Sequence, residues 1–227
     1  MTDLIAEDLL LLLLDDERGT TPALWVDVKV PLGAALLAQL ALDGDVALDG
    51  PAGWWRAPKV EVSDPVPPAD PMLAAAVAVV AEKPRTATDL ARRLGDGLKD
   101  ALAARLVEDG VLDRHDERVL GVFPRTRWPA ASATREAGVR DELSRVLLQG
   151  AEPAPRIAAL AGILAALDRV PVTLGVHGAE ARTAKRRAKE LAEGDWASKA
   201  VRDAVAAASA AVTTTAVSGA MIASTST

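Results

Sequence analysis

The sequence feature that most constrains the fold is a run of six leucines, Leu9–Leu14, near the start of the chain. Acidic residues flank this run on both sides, Glu7-Asp8 before it and Asp15-Asp16-Glu17 after it. A helix that is apolar on every face must be buried on every face. Because a membrane-spanning helix needs about 20 apolar residues, this run predicts a central helix around which later helices pack.

The rest of the sequence also predicts a mainly α fold. The segments Leu32–Leu42 and Met72–Val80 are almost wholly apolar and predict further buried helices. Amphipathic helices are expected around them; Leu98–Glu108 is one, with leucines spaced four residues apart along one face. We therefore expect a single globular helical domain over residues 1–217, followed by a flexible C-terminal tail at 218–227.

Two small β-hairpins are predicted within this helical domain. The first pairs Val46–Leu48 with a second strand that includes Lys59–Val62, across a turn rich in Asp, Gly and Pro. The second covers Val111–Phe123, with its turn at His115–Glu117.

The sequence contains no recognisable set of catalytic residues. The chain has no cysteine, which excludes thiolate chemistry and disulfides and suits a reducing, cytoplasmic compartment. His115 and His177 lie in predicted loops, and no catalytic or nucleotide-binding motif is present. The acidic pairs Glu7-Asp8 and Asp15-Asp16 are interpreted as helix-end charges, since adjacent residues on a helix point in different directions. We therefore expect a protein that is not an enzyme and that holds no metal or cofactor.

Two kinds of binding surface are compatible with the sequence. Residues 86–123 run helix, helix, hairpin, as in part of a winged-helix DNA-binding module, but acidic residues in the second helix and the net charge of −6 disfavour nucleic acid. An anionic lipid surface is the other candidate, because tryptophan suits the membrane interface and a nearby cation binds phosphate. Trp25, the Trp54–Arg56 segment with Lys59, and Lys99 are the residues of this kind.

Five sequence segments, in this order along the chain, resemble the Golgi phosphoprotein 3 family domain. They are LIAEDLLLLLLDDERG with the Leu24–Asp27 segment LWVD, then LGAALLAQLALDGDVAL from Leu32, and ARLVEDGVL from Ala104; AKRRAKELAEGDW near the end is also similar. The resemblance covers about residues 3–215, and the alanine-rich, cysteine-free composition is typical of a bacterial member. It implies a helical, non-catalytic, peripheral membrane protein that binds phosphatidylinositol 4-phosphate and, in eukaryotic members, the cytosolic tails of glycosyltransferases.

The resemblance also implies a head-group site. The family's lipid-binding tryptophan falls on Trp25 and one of its arginines on Lys99, which keeps the charge. Two further arginines fall near Gly33 and Asp96, so neither of those charges survives. Arg56, Arg85, Arg92 and Arg93 are the candidates for replacing them. Loss of one charge-assisted phosphate contact costs about 1.5–3 kcal/mol, so the loss of two predicts weak binding unless other cations compensate.

The second hairpin is also a candidate surface for self-association. It carries more apolar side chains than two strands can cover, namely Val119, Leu120, Val122 and Phe123. Family members are thought to oligomerise at this hairpin. The sequence thus predicts a cytoplasmic module on an anionic phospholipid membrane, with protein client tails and a homo-oligomer as further partners. The alternatives are a winged-helix-like DNA-binding or protein-interaction module and a scaffold without a ligand.

Overall fold

The leucine run forms a central helix. The computed structural model describes residues 3–14, 28–50, 57–119, 123–193, 206 and 209–213. The first helix, α1, covers Ile5–Leu13, and its neighbours include four other helices, α2, α5, α6 and α7. Leu9 and Leu10 are fully buried, and even Leu14 is only 8% exposed. Since burying one leucine contributes about 1.5–3 kcal/mol, this helix anchors the core, and the predicted burial of Leu9–Leu14 is confirmed.

The described part of the chain is mainly helical, as predicted. α2 contacts both α1 and α7, and its most extensive contact is with α4. α9 packs against α7. The helices after α1 are α2 Lys29–Asp43, α3 Pro71–Ala81, α4 Ala87–Leu94, α5 Leu98–Glu108, α6 Thr134–Leu147, α7 Pro155–Ala166, α8 Val170–Leu174 and α9 Gly178–Glu193, and a helical turn covers 209–213.

Helix α3 is less buried than its sequence predicted. Leu73, Val77 and Val80 face the core, but Ala75 and Ala78 are exposed. An alanine exposes little apolar area and strongly favours the helix, so an alanine-rich outer face is tolerated. Helix α3 therefore has one face of large side chains in the core and another face of alanines in solvent, although its sequence is apolar throughout.

The first predicted hairpin is confirmed, and it gains a third strand. β1 (Val46–Leu48) pairs antiparallel with β2 (Lys59–Val62), and β2 pairs with β3 (Arg85–Thr86). The side chain of Arg85, one of the candidate replacement cations, is buried and donates to the Val79 carbonyl and to Glu82.

The second hairpin lies further along the chain than predicted. β4 (His115–Val119) pairs with β5 (Phe123–Arg127), so the proposed turn at His115–Glu117 is a strand. Residues 111–112 instead follow the end of α5, and Leu112 forms a bridge to Ala130. The error arose because His115 and Asp116 are exposed: a ribbon in solvent does not show the apolar alternation of a half-buried strand.

The acidic residues of the first turn of α1 are buried instead of solvated. The side chains of Glu7 and Asp8 are 1% and 3% exposed. Arg105 Nε lies 2.8 Å from Glu7 Oε1, and Arg135 Nη2 lies 2.7 Å from Glu7 Oε2 and 2.9 Å from Asp8 Oδ1. Arg156 pairs with the other oxygen of Asp8. Three arginines from α5, α6 and α7 therefore converge on α1, and this buried charge cluster ties four helices together.

Candidate functional site

The start of α2 lies directly against the turn between α4 and α5. A Cβ atom on Gly33 would overlap the carbonyl oxygen of Ala91, and one on Gly95 would overlap the carbonyl oxygen of Lys29. Glycine at both positions therefore permits backbone contact that another residue would prevent. We call this junction the α2–α5 corner, formed by Lys29, Gly33, the turn 95–97 and Lys99.

A lysine that the sequence analysis missed lies at this corner. The ammonium group of Lys29 forms an ion pair with Asp96, and the two side chains are 33% and 68% exposed. Lys29 is the sole Lys or Arg between Arg18 and Arg56, and this isolated cation in a largely apolar stretch could have been singled out from the sequence. Because a carboxylate already balances Lys29, the charge of this pair is zero.

Lys99 occupies the first turn of α5. Gly97, with φ +69°, begins this helix and provides no side-chain cap. Within the described residues, the amides of Lys99 and Asp100 make no hydrogen bond to a backbone carbonyl. Free amides at a helix start and the helix dipole both attract anions. The backbone and the side chain of Lys99 thus bring positive charge to the same end of α5.

The ammonium group of Lys99 has an aromatic neighbour in place of a carboxylate. Its Nζ atom lies 5.2 Å from the ring centroid of Trp128. In the described part of the chain, no carboxylate comes within ion-pair distance of this nitrogen. Burial lowers the pKa of Lys99, and the nearby charge of Asp100 acts in the opposite direction. Lys99 is a half-buried cation whose charge no direct ion pair neutralises.

The family comparison agrees with the sequence motifs. The model of the Golgi phosphoprotein 3 family (GPP34) matches residues 5–208, which is most of the chain. The chain belongs to this family. No curated protein compared with the chain matches it. The Golgi phosphoprotein 3 family is not a family of enzymes.

The positions that the family resemblance assigned to a head-group site fall partly together. Gly33, Asp96 and Lys99 all belong to the α2–α5 corner, where α2 meets the α4–α5 turn. Trp25 and the Trp54–Arg56 segment lie outside the described residues. For this Golgi phosphoprotein 3 family member, the described part of the corner contains Lys99 and the Lys29–Asp96 pair.

Arg92 and Arg93 lie in the last turn of α4, one turn before the corner. Both side chains are exposed, and Arg92 Nη1 lies 3.8 Å from Asp89 Oδ1. Cations at a helix C-terminus interact favourably with the helix dipole, so their position already has a structural reason. They remain candidates for contacts with a large ligand at the corner.

The tip of the second hairpin lies mostly outside the described residues. Val119 and Phe123 form the last backbone pair of the ribbon, whereas Leu120 and Val122 are not described. Self-association through this hairpin therefore stays a prediction.

The described residues show neither a cluster of metal-ligating side chains nor a membrane-spanning helix. Among these residues, no group of three or more His, Cys, Asp or Glu side chains is arranged to hold a metal ion. None of the helices in the described ranges is both long and apolar enough to cross a membrane.

Proposed function

We propose that this chain is a non-catalytic, peripheral membrane module that binds an anionic phospholipid head group at the α2–α5 corner. Membership of the Golgi phosphoprotein 3 family supports the proposal, and phosphatidylinositol 4-phosphate is the head group that the family resemblance suggests. The observation that carries it is Lys99, an ammonium group without a carboxylate partner in the described chain, at the uncapped start of α5.

The charges at the corner favour the binding of a single anion with a small negative charge. Lys99 and the free amides at the start of α5 attract phosphate, while Asp96 places a carboxylate in the same turn and balances Lys29. The chain as a whole carries a net charge of −6. Binding is therefore expected to depend on local contacts, and salt is expected to weaken it because the site is open to solvent.

The proposal includes the location and partners that such a module would have. The chain would act on the cytoplasmic side of a membrane and present its remaining surface to the tails of client proteins. Association of several copies through the second hairpin would increase the avidity for a membrane by multivalency.

Vesicle co-sedimentation tests the proposed lipid binding. The full chain is mixed with neutral phosphatidylcholine vesicles and with vesicles that also contain phosphatidylinositol 4-phosphate or phosphatidylglycerol. We expect sedimentation with at least one anionic composition, and Lys99→Glu should weaken it by about tenfold or more because a charge-assisted phosphate contact contributes about 1.5–3 kcal/mol. Its free energy of unfolding should change by less than about 1 kcal/mol.

Lys189→Glu is the matched control, since it reverses the same charge on the exposed face of α9. It should retain binding close to that of the wild type. If the wild type ignores every anionic vesicle, or if both variants bind equally, the proposal is wrong. A DNA mobility shift run in parallel would, if positive, favour the winged-helix alternative.

A further inference from the structure

A groove lies between α5 and the second hairpin, and both Lys99 and Trp128 line it. Its volume is about 610 Å³. The α5 wall includes Lys99 and Val107 and also the acidic residues Asp100 and Glu108. Thr126 and Trp128 belong to the hairpin wall and the segment that follows it. Lys99 therefore belongs both to the α2–α5 corner and to this groove.

The other cation of the groove is already paired. Arg114 Nε donates to Asp116 at 3.2 and 3.3 Å, and the Thr126 hydroxyl donates to the same carboxylate at 2.8 Å. These hydrogen bonds, that from Thr126 first, hold the pKa of Asp116 below its usual value. Asp116 thus satisfies both groups and leaves Lys99 as the cation in the groove without an ion pair to any described residue.

We propose that Trp128 is a positioning residue that holds the Lys99 ammonium for a phosphate group seated in the groove between α5 and the second hairpin. The inference rests on the proposed function and extends it, because it assigns a role to Trp128 and places the phosphate on the hairpin side of Lys99. The ligand is defined by its phosphate, whether a lipid head group or a soluble phosphate ester provides it.

The ring can position the ammonium without consuming its hydrogen bonds. A cation over an indole face is attracted to the ring quadrupole, yet the ring takes none of the three N–H donors as a conventional acceptor would. A free lysine side chain loses considerable rotamer entropy when it binds. Trp128 is itself packed against the core, so it restricts Lys99 before the phosphate arrives.

The arrangement at Lys29 is the opposite one. Its ammonium lies against the Asp96 carboxylate, which would compete directly with a phosphate for the same donors. A phosphate at Lys99 meets an aromatic ring instead, and it can bind while the cation–π contact persists. This difference selects Lys99 as the anchoring cation.

The test uses two substitutions in the full chain. Trp128→Leu keeps an apolar side chain without a π face, whereas Trp128→Phe keeps a smaller π face. We expect Trp128→Leu to weaken binding to anionic vesicles about two- to fivefold, the range of an exposed cation–π contact, and Trp128→Phe to lie between it and the wild type. Lys99→Glu measures the full contribution of the cation.

NMR of ¹³C-labelled lysine provides a readout that a general loss of packing would not reproduce. The Lys99 side-chain methylene signals should carry a ring-current shift that disappears in Trp128→Leu and persists in part in Trp128→Phe. In the wild type, inorganic phosphate or glycerol 3-phosphate should move the Lys99 signals and leave those of Lys189 in place. Movement with these soluble compounds supports a phosphate site as such; movement with vesicles alone supports a site specific to a lipid surface.

The outcomes separate the inference from the function on which it rests. Failure of the wild type to bind any anionic vesicle defeats the proposed function. If Lys99→Glu weakens binding while Trp128→Leu binds like the wild type, or more tightly, the function stands and the role of Trp128 is wrong. If Trp128→Leu does not fold, the wild type still tests the inference by NMR. The inference is wrong if the Lys99 signals of the wild type stay unchanged when vesicles bind.

Discussion

Helix α5 carries two cations in opposite situations. Arg105 points inward with a side chain only 14% exposed, and it is paired with Glu7 from α1 and with Asp70 at the start of α3. Lys99, less than two turns earlier, is half-buried and faces the ring of Trp128. Helix α5 thus contributes Arg105, whose charge is neutralised, to the buried charge cluster. It contributes Lys99, which has no carboxylate partner among the described residues, to the groove.

The difference shows how to separate charges that hold a fold from charges that are available to a ligand. Arginine suits the first task because its planar group binds several carboxylate oxygens at once. Removing one partner from such a cluster leaves a buried charge uncompensated and is costly. Replacing the cation at a groove should leave the fold almost unchanged and alter binding.

The largest effect is expected inside the charge cluster. Glu7→Ala removes the carboxylate shared by Arg105 and Arg135, and it also removes the acceptor of the Leu4 N–H at the start of α1. We expect a loss of about 3–5 kcal/mol in the free energy of unfolding, measured by urea denaturation. Glu152→Ala, at an exposed position, should change it by less than about 0.5 kcal/mol. Equal, small effects in both variants would mean that the cluster contributes little to the fold.

The sequence predicted those parts of the fold that depend on local patterns. The bounds of α5 were predicted as Leu98–Glu108, and the burial of Leu9–Leu14 followed from the absence of a polar face. The role of Glu7 and Asp8 was missed because their partner Arg135 lies more than 120 residues away. Local spacing carries no information on such contacts.

The candidate site shows the same limit. Lys99 was identified at a helix start, which is a local property. Trp128 approaches it only because the hairpin folds back on α5, and Lys29 reaches Asp96 through glycine contacts between α2 and α4. Residues separated by 29 and 67 positions cannot be paired from one sequence without knowledge of the fold.

An intermediate effect is expected at the second carboxylate partner of Arg105. Burial alone would raise the pKa of Asp70, but hydrogen bonds from Arg105 and from the Leu73 and Met72 amides lower it overall. Asp70→Asn can still cap α3, yet it loses the charged contact at 2.5 Å. We expect the variant to be about 1–3 kcal/mol less stable than the wild type at pH 7.

The pH dependence of this difference follows from the lowered pKa. The stabilisation by ionised Asp70 is present above the pKa of the unfolded chain, about 3.9, and disappears as pH falls through the lower folded value. Urea denaturation between pH 7 and pH 3 should therefore show the wild type and Asp70→Asn converging in acid. Asp141→Asn, at an exposed position of α6, is the matched control. A difference that stays constant with pH would contradict the charged contact.

The smallest effect is expected at the Lys29–Asp96 pair, where a cation near the proposed ligand site is also paired with a carboxylate. Asp96→Asn removes one negative charge from the α2–α5 corner and the carboxylate that balances Lys29. An exposed ion pair contributes about 0–1 kcal/mol to stability, so unfolding should hardly change. Binding to anionic vesicles should strengthen about two- to fivefold, because the Asp96 carboxylate repels an incoming phosphate by a free energy of about the same size as that of an exposed ion pair. Asp113→Asn, an exposed loop position that is not part of the corner, controls for the change in net charge. If both variants bind alike, only the overall charge of the chain affects binding. If Asp96→Asn alone binds more tightly, the anion binds at the α2–α5 corner, and the pairing of Lys29 with Asp96 limits the affinity.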